Sequence, residues 1–181
     1  MLKNKKVLFI SFAFIFIILI IFLLPCMEVL SLKNRNNFSD KLYIPAKALQ
    51  SFEIGYTHSV NKGRIYDFYI VKDQPKGTFL LDKTTFVSYG AGILEPSDLE
   101  GSVFEQTDDG YVMKNLRLSM DSLQLGVGTV AEHSLKLNYI TPDGNTNSIE
   151  YELKKLFPPK TGLILEIKRV NLFDYIFNKL N

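Results

Sequence analysis

From Val7 to Leu24 every residue except Ser11 is apolar, and no other feature of the chain restricts its fold as strongly. As a helix this run would be roughly 27 Å long, against a hydrocarbon core of about 30 Å, enough to remain in a bilayer. Lys3, Lys5 and Lys6 precede it and a mixed Glu28, Lys33 and Arg35 follow, so the positive-inside rule keeps Met1 cytoplasmic and exports what comes after. A cleaved signal peptide has a shorter apolar region and a small-x-small site, which Leu23-Leu24-Pro25-Cys26-Met27 does not offer. Cys26 stands where a lipoprotein would place its cysteine, but Pro25 precedes it in place of Gly or Ala. The expectation is a single-pass cell-membrane protein anchored over residues 1–27, touching lipid through residues 7–24, with its C-terminal domain extracytoplasmic. Cleavage and lipidation at Cys26 are the alternatives.

The lone cysteine excludes an intramolecular disulfide. Setting the three leading lysines aside leaves 18 basic against 19 acidic residues, so the exported part is nearly neutral. A nucleic-acid binder would show a basic face, and none is visible.

Residues 28–48 read as a linker, because Asn34, Arg35, Asn36, Asn37, Ser39 and Asp40 crowd together with little apolar periodicity. The β-rich domain is therefore placed at 49–181. Within it Phe52, Ile54 and Tyr56 alternate with polar neighbours, as do Leu135, Leu137 and Tyr139, then Ile149, Tyr151 and Leu153, then Leu163, Leu165 and Ile167. Period two is the signature of strands. Pro142-Asp143-Gly144 presets a turn, so the runs on either side of it form a hairpin. Further strands are expected at 64–71, 77–87, 111–119 and 124–131. The predicted fold class is all-β, an antiparallel sandwich or barrel-like domain, with an N-terminal transmembrane helix and a short C-terminal helix. That last helix follows Asn171, with Leu172, Phe173, Ile176, Phe177 and Leu180 at helical spacing. Its flanks lack a basic face, so it is read as capping an open end of the domain in preference to lying in the membrane interface.

No reaction signature emerges. His58 and His133 are the only histidines and neither has a partner at metal-ligand spacing, so no metal or cofactor is expected. Ser59 adjoins His58, but neighbouring strand residues point to opposite faces, and no Gly-x-Ser-x-Gly turn exists. Ser88-Tyr89-Gly90-Ala91-Gly92 either forms an anion-holding nest or marks a bend in a β-domain. Asp108-Asp109-Gly110 reads as a hairpin turn.

Hairpin arithmetic supplies the sharpest expectation. A loop centred on Lys62-Gly63 pairs His58 with Asp67, Tyr56 with Tyr69 and Ile54 with Val71, putting the His58 and Asp67 side chains about 5 Å apart on the apolar face. An aspartate there is costly to bury alone, and a histidine across the ladder favours its charged form. The pair is read as fixing register or as part of a ligand site, and Asp67→Asn is expected to weaken folding more than Asp73→Asn.

Two segments together resemble a known family. Phe52-Glu53-Ile54-Gly55-Tyr56-Thr57-His58-Ser59-Val60, the acidic Asp67 before Phe68-Tyr69, and Ser88-Tyr89-Gly90-Ala91-Gly92-Ile93 look like the bacterial domain of unknown function 1850 family. Gly63-Arg64-Ile65 stands where that family usually has a Thr-Pro-Val type turn, and Asp67 replaces its Glu. The resemblance implies a small exported protein encoded beside TAXI-type TRAP transporters. It implies a non-catalytic accessory role beside the permease or its solute-binding protein. The competing readings are a small-anion or solute-binding domain and, third, a hydrolase using His58. The candidate ligand or structural site is Tyr56, His58, Ser59, Asp67, Tyr89, Gly90 and Gly92.

Overall fold

Alternation is what builds the body of the molecule. The computed structural model describes residues 2–38, 41–60, 62–88 and 100–180. Among these residues a helix, α1 (Leu2–Leu23), leads into twelve strands. They are β1 (Pro25–Asn34), β2 (Lys41–Pro45), β3 (Leu49–Thr57), β4 (Arg64–Ile70), β5 (Phe79–Phe86) and β6 (Val103–Thr107), then β7 (Gly110–Lys114), β8 (Leu118–Met120), β9 (Ser122–Gly126), β10 (Ser134–Ile140), β11 (Thr146–Glu152) and β12 (Gly162–Asn171). The one-turn α2 (Leu153–Leu156) separates β11 from β12, and α3 (Leu172–Asn178) follows.

Every pairing is antiparallel, in two sheets: one of four strands ordered β2-β1-β12-β9, and a larger one ordered β11-β10-β3-β4-β5-β7-β6 with β8 on β5. They face each other as a sandwich. Leu30, Leu32, Leu163 and Leu165 of the small sheet meet Phe52, Phe79, Leu135 and Leu137 of the large one, all fully buried. Each such side chain contributes about 1.5–3 kcal/mol when removed from water. Phe52 also stacks on Tyr69 at 4.7 Å and meets Phe79 edge-on at 5.1 Å. The β10–β11 hairpin forms as expected, with Leu137 opposite Ile149 and Gly144 at φ +83° in its turn.

Residues 28–48 are not a linker. β1 and β2 lie within and just before that span, and Val29, Leu30 and Leu32 are fully buried. Besides β2, β1 pairs with β12, from Pro25 opposite Asn171 to Asn34 opposite Leu163, so the sandwich begins two residues beyond the end of α1. The strand expected at 111–119 breaks at Asn115 and Arg117, both at positive φ, and β6 was not anticipated. The strand expected at 124–131 ends at Gly126. Among the described residues no helix is long and apolar enough to cross a membrane, side chains of α1 being described only at 9–17, 20, 22 and 23.

β12 runs the length of the small sheet, and its ten residues at about 3.3 Å each separate the two ends of the sandwich by roughly 30 Å. Asn171, beside α1, marks one end. At the other, Val127 N–H donates to the Thr161 carbonyl and Lys160 N–H to that of Val127, tying the start of β12 to the loop that leads into β10.

Candidate functional site at the Arg64 end

Gly55 sits in mid-strand, with Ser134 opposite it on β10 and Tyr66 on β4. A methyl group there would come within 2.7 Å of Ser134 Oγ and 2.9 Å of both Arg64 Nη2 and Tyr66 Cε1. A glycine inside a strand marks close approach of other groups, and here they are the Ser134 hydroxyl, the Tyr66 ring and the Arg64 guanidinium. Arg64 Nη1 donates to the Glu132 carbonyl at 3.0 Å and to Thr57 Oγ1 at 3.3 Å, while the group lies 5.3 Å from the centre of the Tyr66 ring. On either side of it the outward face of the large sheet is hollowed. One cleft, of about 270 Å³, is lined by Glu132, His133, Ser134 and Glu150; the other, of about 330 Å³, by Tyr66, Thr85, Val112 and Asp109.

Several segments with sequence signatures meet at this end: the close of β3, the start of β4 and the close of β5. Gly110, at φ +133°, brings the 108–110 turn against it, since a Cβ there would strike the Phe86 carbonyl at 2.4 Å. Ser88 leaves from the same place. Tyr89, Gly90 and Gly92, expected as part of the site, lie outside the described residues.

The inward face carries Asp67, Thr84, Tyr56 and His133. Asp67 faces Ile54 on β3 and Thr84 on β5, and Thr84 Oγ1 donates to Asp67 Oδ1 at 2.5 Å. Burial holds this carboxyl above the usual carboxylate range, the Thr84 hydrogen bond pulling the other way. Tyr56 is pushed up to about 12 by burial and then by the charge of Asp67. His133 stacks on Tyr56 at 5.7 Å, and its Nδ1 accepts from Gly128 N–H at 3.2 Å, which leaves Nε2 as the protonated nitrogen of the neutral ring. Burial and then Arg64 hold its pKa below the ordinary value.

The expected ladder contact between His58 and Asp67 is absent. Tyr56 pairs with Ile65 where Tyr69 was expected, and Thr57 with Arg64, a shift of four residues along β4 from the predicted register. The connection is longer than assumed. His58 N–H donates to the Gly63 carbonyl at 2.8 Å and its own carbonyl accepts from Lys62 N–H at 3.1 Å, so the strands part at Thr57 and His58 belongs to the turn. Because the shift is even, Tyr56, Asp67 and Tyr69 keep the face foreseen for them. Ser59 is exposed, with its carbonyl accepting from Lys62 Nζ. Arg64 and Thr84 were missed, and His133 was weighed as a metal ligand but not placed in the site; the in-strand Gly55 was the available signal for Arg64.

Chemically this end presents Arg64 between two shallow clefts, the first of them also lined by Lys154. The neutral His133 and Tyr56 are engaged with each other, and no group of three or more His, Cys, Asp or Glu able to hold a metal occurs among the described residues. Residues 52–141 match the family described as Domain of unknown function (DUF1850), a span that contains Arg64 and the second cleft but not Glu150 of the first. No curated protein and no solved structure matches the chain.

Proposed function

We propose that this chain, whose residues 52–141 belong to the domain of unknown function 1850 family, is a membrane-anchored extracytoplasmic accessory protein that binds a partner through its Arg64 end. The anchor is the apolar run 7–24, held uncleaved with the lysines inside the cell. The observation that carries the reading is the placement of Arg64: a guanidinium laid over a glycine, flanked by clefts, at the end of the sandwich opposite α1. That puts the surface roughly 30 Å from the bilayer, within reach of a protein standing above the membrane. From the family resemblance the partner is a TRAP (TAXI-type) transporter, through its solute-binding protein or the outer face of its permease. A tether raises the effective concentration of a surface for such a partner, and no catalyst is needed.

A second reading, a small-solute binding domain, draws on the same arginine, since a guanidinium fork suits a carboxylate. Extraction of the full chain in mild detergent separates the two. The accessory reading expects a transporter subunit to co-purify with the native chain and to be lost with Arg64→Ala at unchanged melting temperature. No co-purification, with a rise in melting temperature on adding small carboxylates, supports the second reading instead.

A further inference from the structure

α3 is amphipathic in a way the sequence around it does not reveal. Its inward side is fixed to the small sheet: Asn171 Oδ1 accepts from Asp174 N–H at 2.7 Å, Asp174 Oδ1 accepts from Lys41 Nζ at 2.8 Å, and Oδ2 from the Tyr43 hydroxyl at 2.7 Å. Tyr175 packs on the buried Val29, Tyr43 and Val170. Leu180 N–H donates to the Tyr43 carbonyl at 2.9 Å, so the chain beyond the helix is held too. The outward side is the reverse. Phe173, Ile176 and Phe177 are 58%, 56% and 72% exposed, and the two phenylalanine rings lie 4.6 Å apart. None of the residues of α3 is buried.

Position tells what covers this face. Asn171, which caps α3, is the ladder partner of Pro25, two residues beyond the end of α1, and α1 and α3 are in contact. Leu23 and Leu24 are also exposed, so the apolar surface continues from α1 onto α3. Basic residues stand around the helix, most of them contributed by its neighbours in space. On the outward side of the small sheet and just after α3 stand Lys33, Lys41, Lys168 and Lys179 against Glu166 and Asp174, four ammonium groups to two carboxylates.

We infer that α3 is a second membrane contact, its Phe173, Ile176 and Phe177 face seated in the headgroup region of an anionic phospholipid surface with the lysines above it. An interfacial helix of this kind buries its apolar face about 5–10 Å into the boundary and draws on anionic lipid for electrostatic attraction. The inference rests on the anchor reading, because α1 must enter the bilayer for α3 to meet its surface. Its consequence is orientation. One helix leaves a domain free to tilt, whereas a second contact beside it holds the sandwich upright and the Arg64 end outward.

The chain has no tryptophan, so a single one reports its own surroundings. Full chains carrying Phe177→Trp or Phe12→Trp are reconstituted in phosphatidylcholine and phosphatidylglycerol vesicles, with ordinary or brominated acyl chains. The expected result is blue-shifted emission from Phe177→Trp with loss of most of its intensity in brominated lipid, and strong quenching of Phe12→Trp. A quenched Phe12→Trp beside a Phe177→Trp that emits as in water overturns the inference and leaves the anchor standing. An unquenched Phe12→Trp removes the anchor and the inference together. Blue-shifted but unquenched emission from Phe177→Trp means that protein, such as a second copy, covers the face, and also overturns it.

Discussion

Thr84 Oγ1 donates a hydrogen bond to Asp67 Oδ1 across the β4–β5 ladder, so the half-buried carboxyl is answered by a hydroxyl on β5 and, among the described residues, by no cation. This reverses the expectation for Asp67→Asn. Asparagine keeps the acceptor for Thr84 and removes a charge that burial disfavours, so the variant is expected to be at least as stable as the native chain at neutral pH. The sign follows from linkage. With the folded pKa raised, the stabilising contribution is full below the unfolded value of about 4 and is lost as pH rises through the folded value. Urea melts over that window should show a downward slope in the native chain that is smaller in Asp67→Asn. Thr84→Val, which strips the donor, should cost about 1–3 kcal/mol.

Gly55→Ala tests the seat of Arg64. The new methyl meets a serine hydroxyl, a guanidinium and a tyrosine ring all inside 3.0 Å, so Arg64 must leave its position. Overpacking of this kind costs about 1–3 kcal/mol. Thermal unfolding would register the loss, and Arg64→Ala combined with Gly55→Ala should recover part of it, because one of the three obstructions is gone.

How much of this was legible from sequence differs by element. Strands were expected where β3, β4, β5, β10, β11 and β12 lie, and the Pro142-Asp143-Gly144 turn located the one hairpin read correctly. β1 escaped because its partner β12 lies 129 or more residues away and its polar flank, Asn34 to Asn37, which leads to its other partner β2, resembles a tether. The site was half visible. Parity put Tyr56 and Asp67 on the right face, but turn length decides who faces whom, and nothing in Asn61-Lys62-Gly63 announced that pairing would stop at Thr57. Arg64 and His133 come together only through the β3–β4 and β3–β10 ladders, which no local pattern encodes.

Leu32→Ala distinguishes a core strand from a tether. Leu32 is fully buried between the sheets, so the truncation should cost about 2–5 kcal/mol in chemical denaturation of the full chain in detergent. The same change in a linker would leave stability within about 0.5 kcal/mol.

His133 gives the acid limb. Its folded pKa lies below the ordinary 6.5 because burial, and then Arg64, disfavour the imidazolium. Below 6.5 the unfolded chain takes up a proton that the folded one refuses, so this contribution to stability is present above 6.5 and falls as pH drops. Proton NMR of the imidazole should place its midpoint below 6.5, and Arg64→Ala should raise it.

The account stands or falls on the Arg64 end being the contact surface of an exported, membrane-held domain. A photo-crosslinking residue at Thr85, in the cleft beside Arg64, measures this in intact cells, with the same probe at the exposed Asn147, toward the opposite end of the large sheet, as comparison. The account predicts a membrane-fraction adduct with a transporter subunit from Thr85, abolished by Arg64→Ala, and none from Asn147. Capture from Asn147 with none from Thr85, or recovery of the chain from the cytosol, would contradict it.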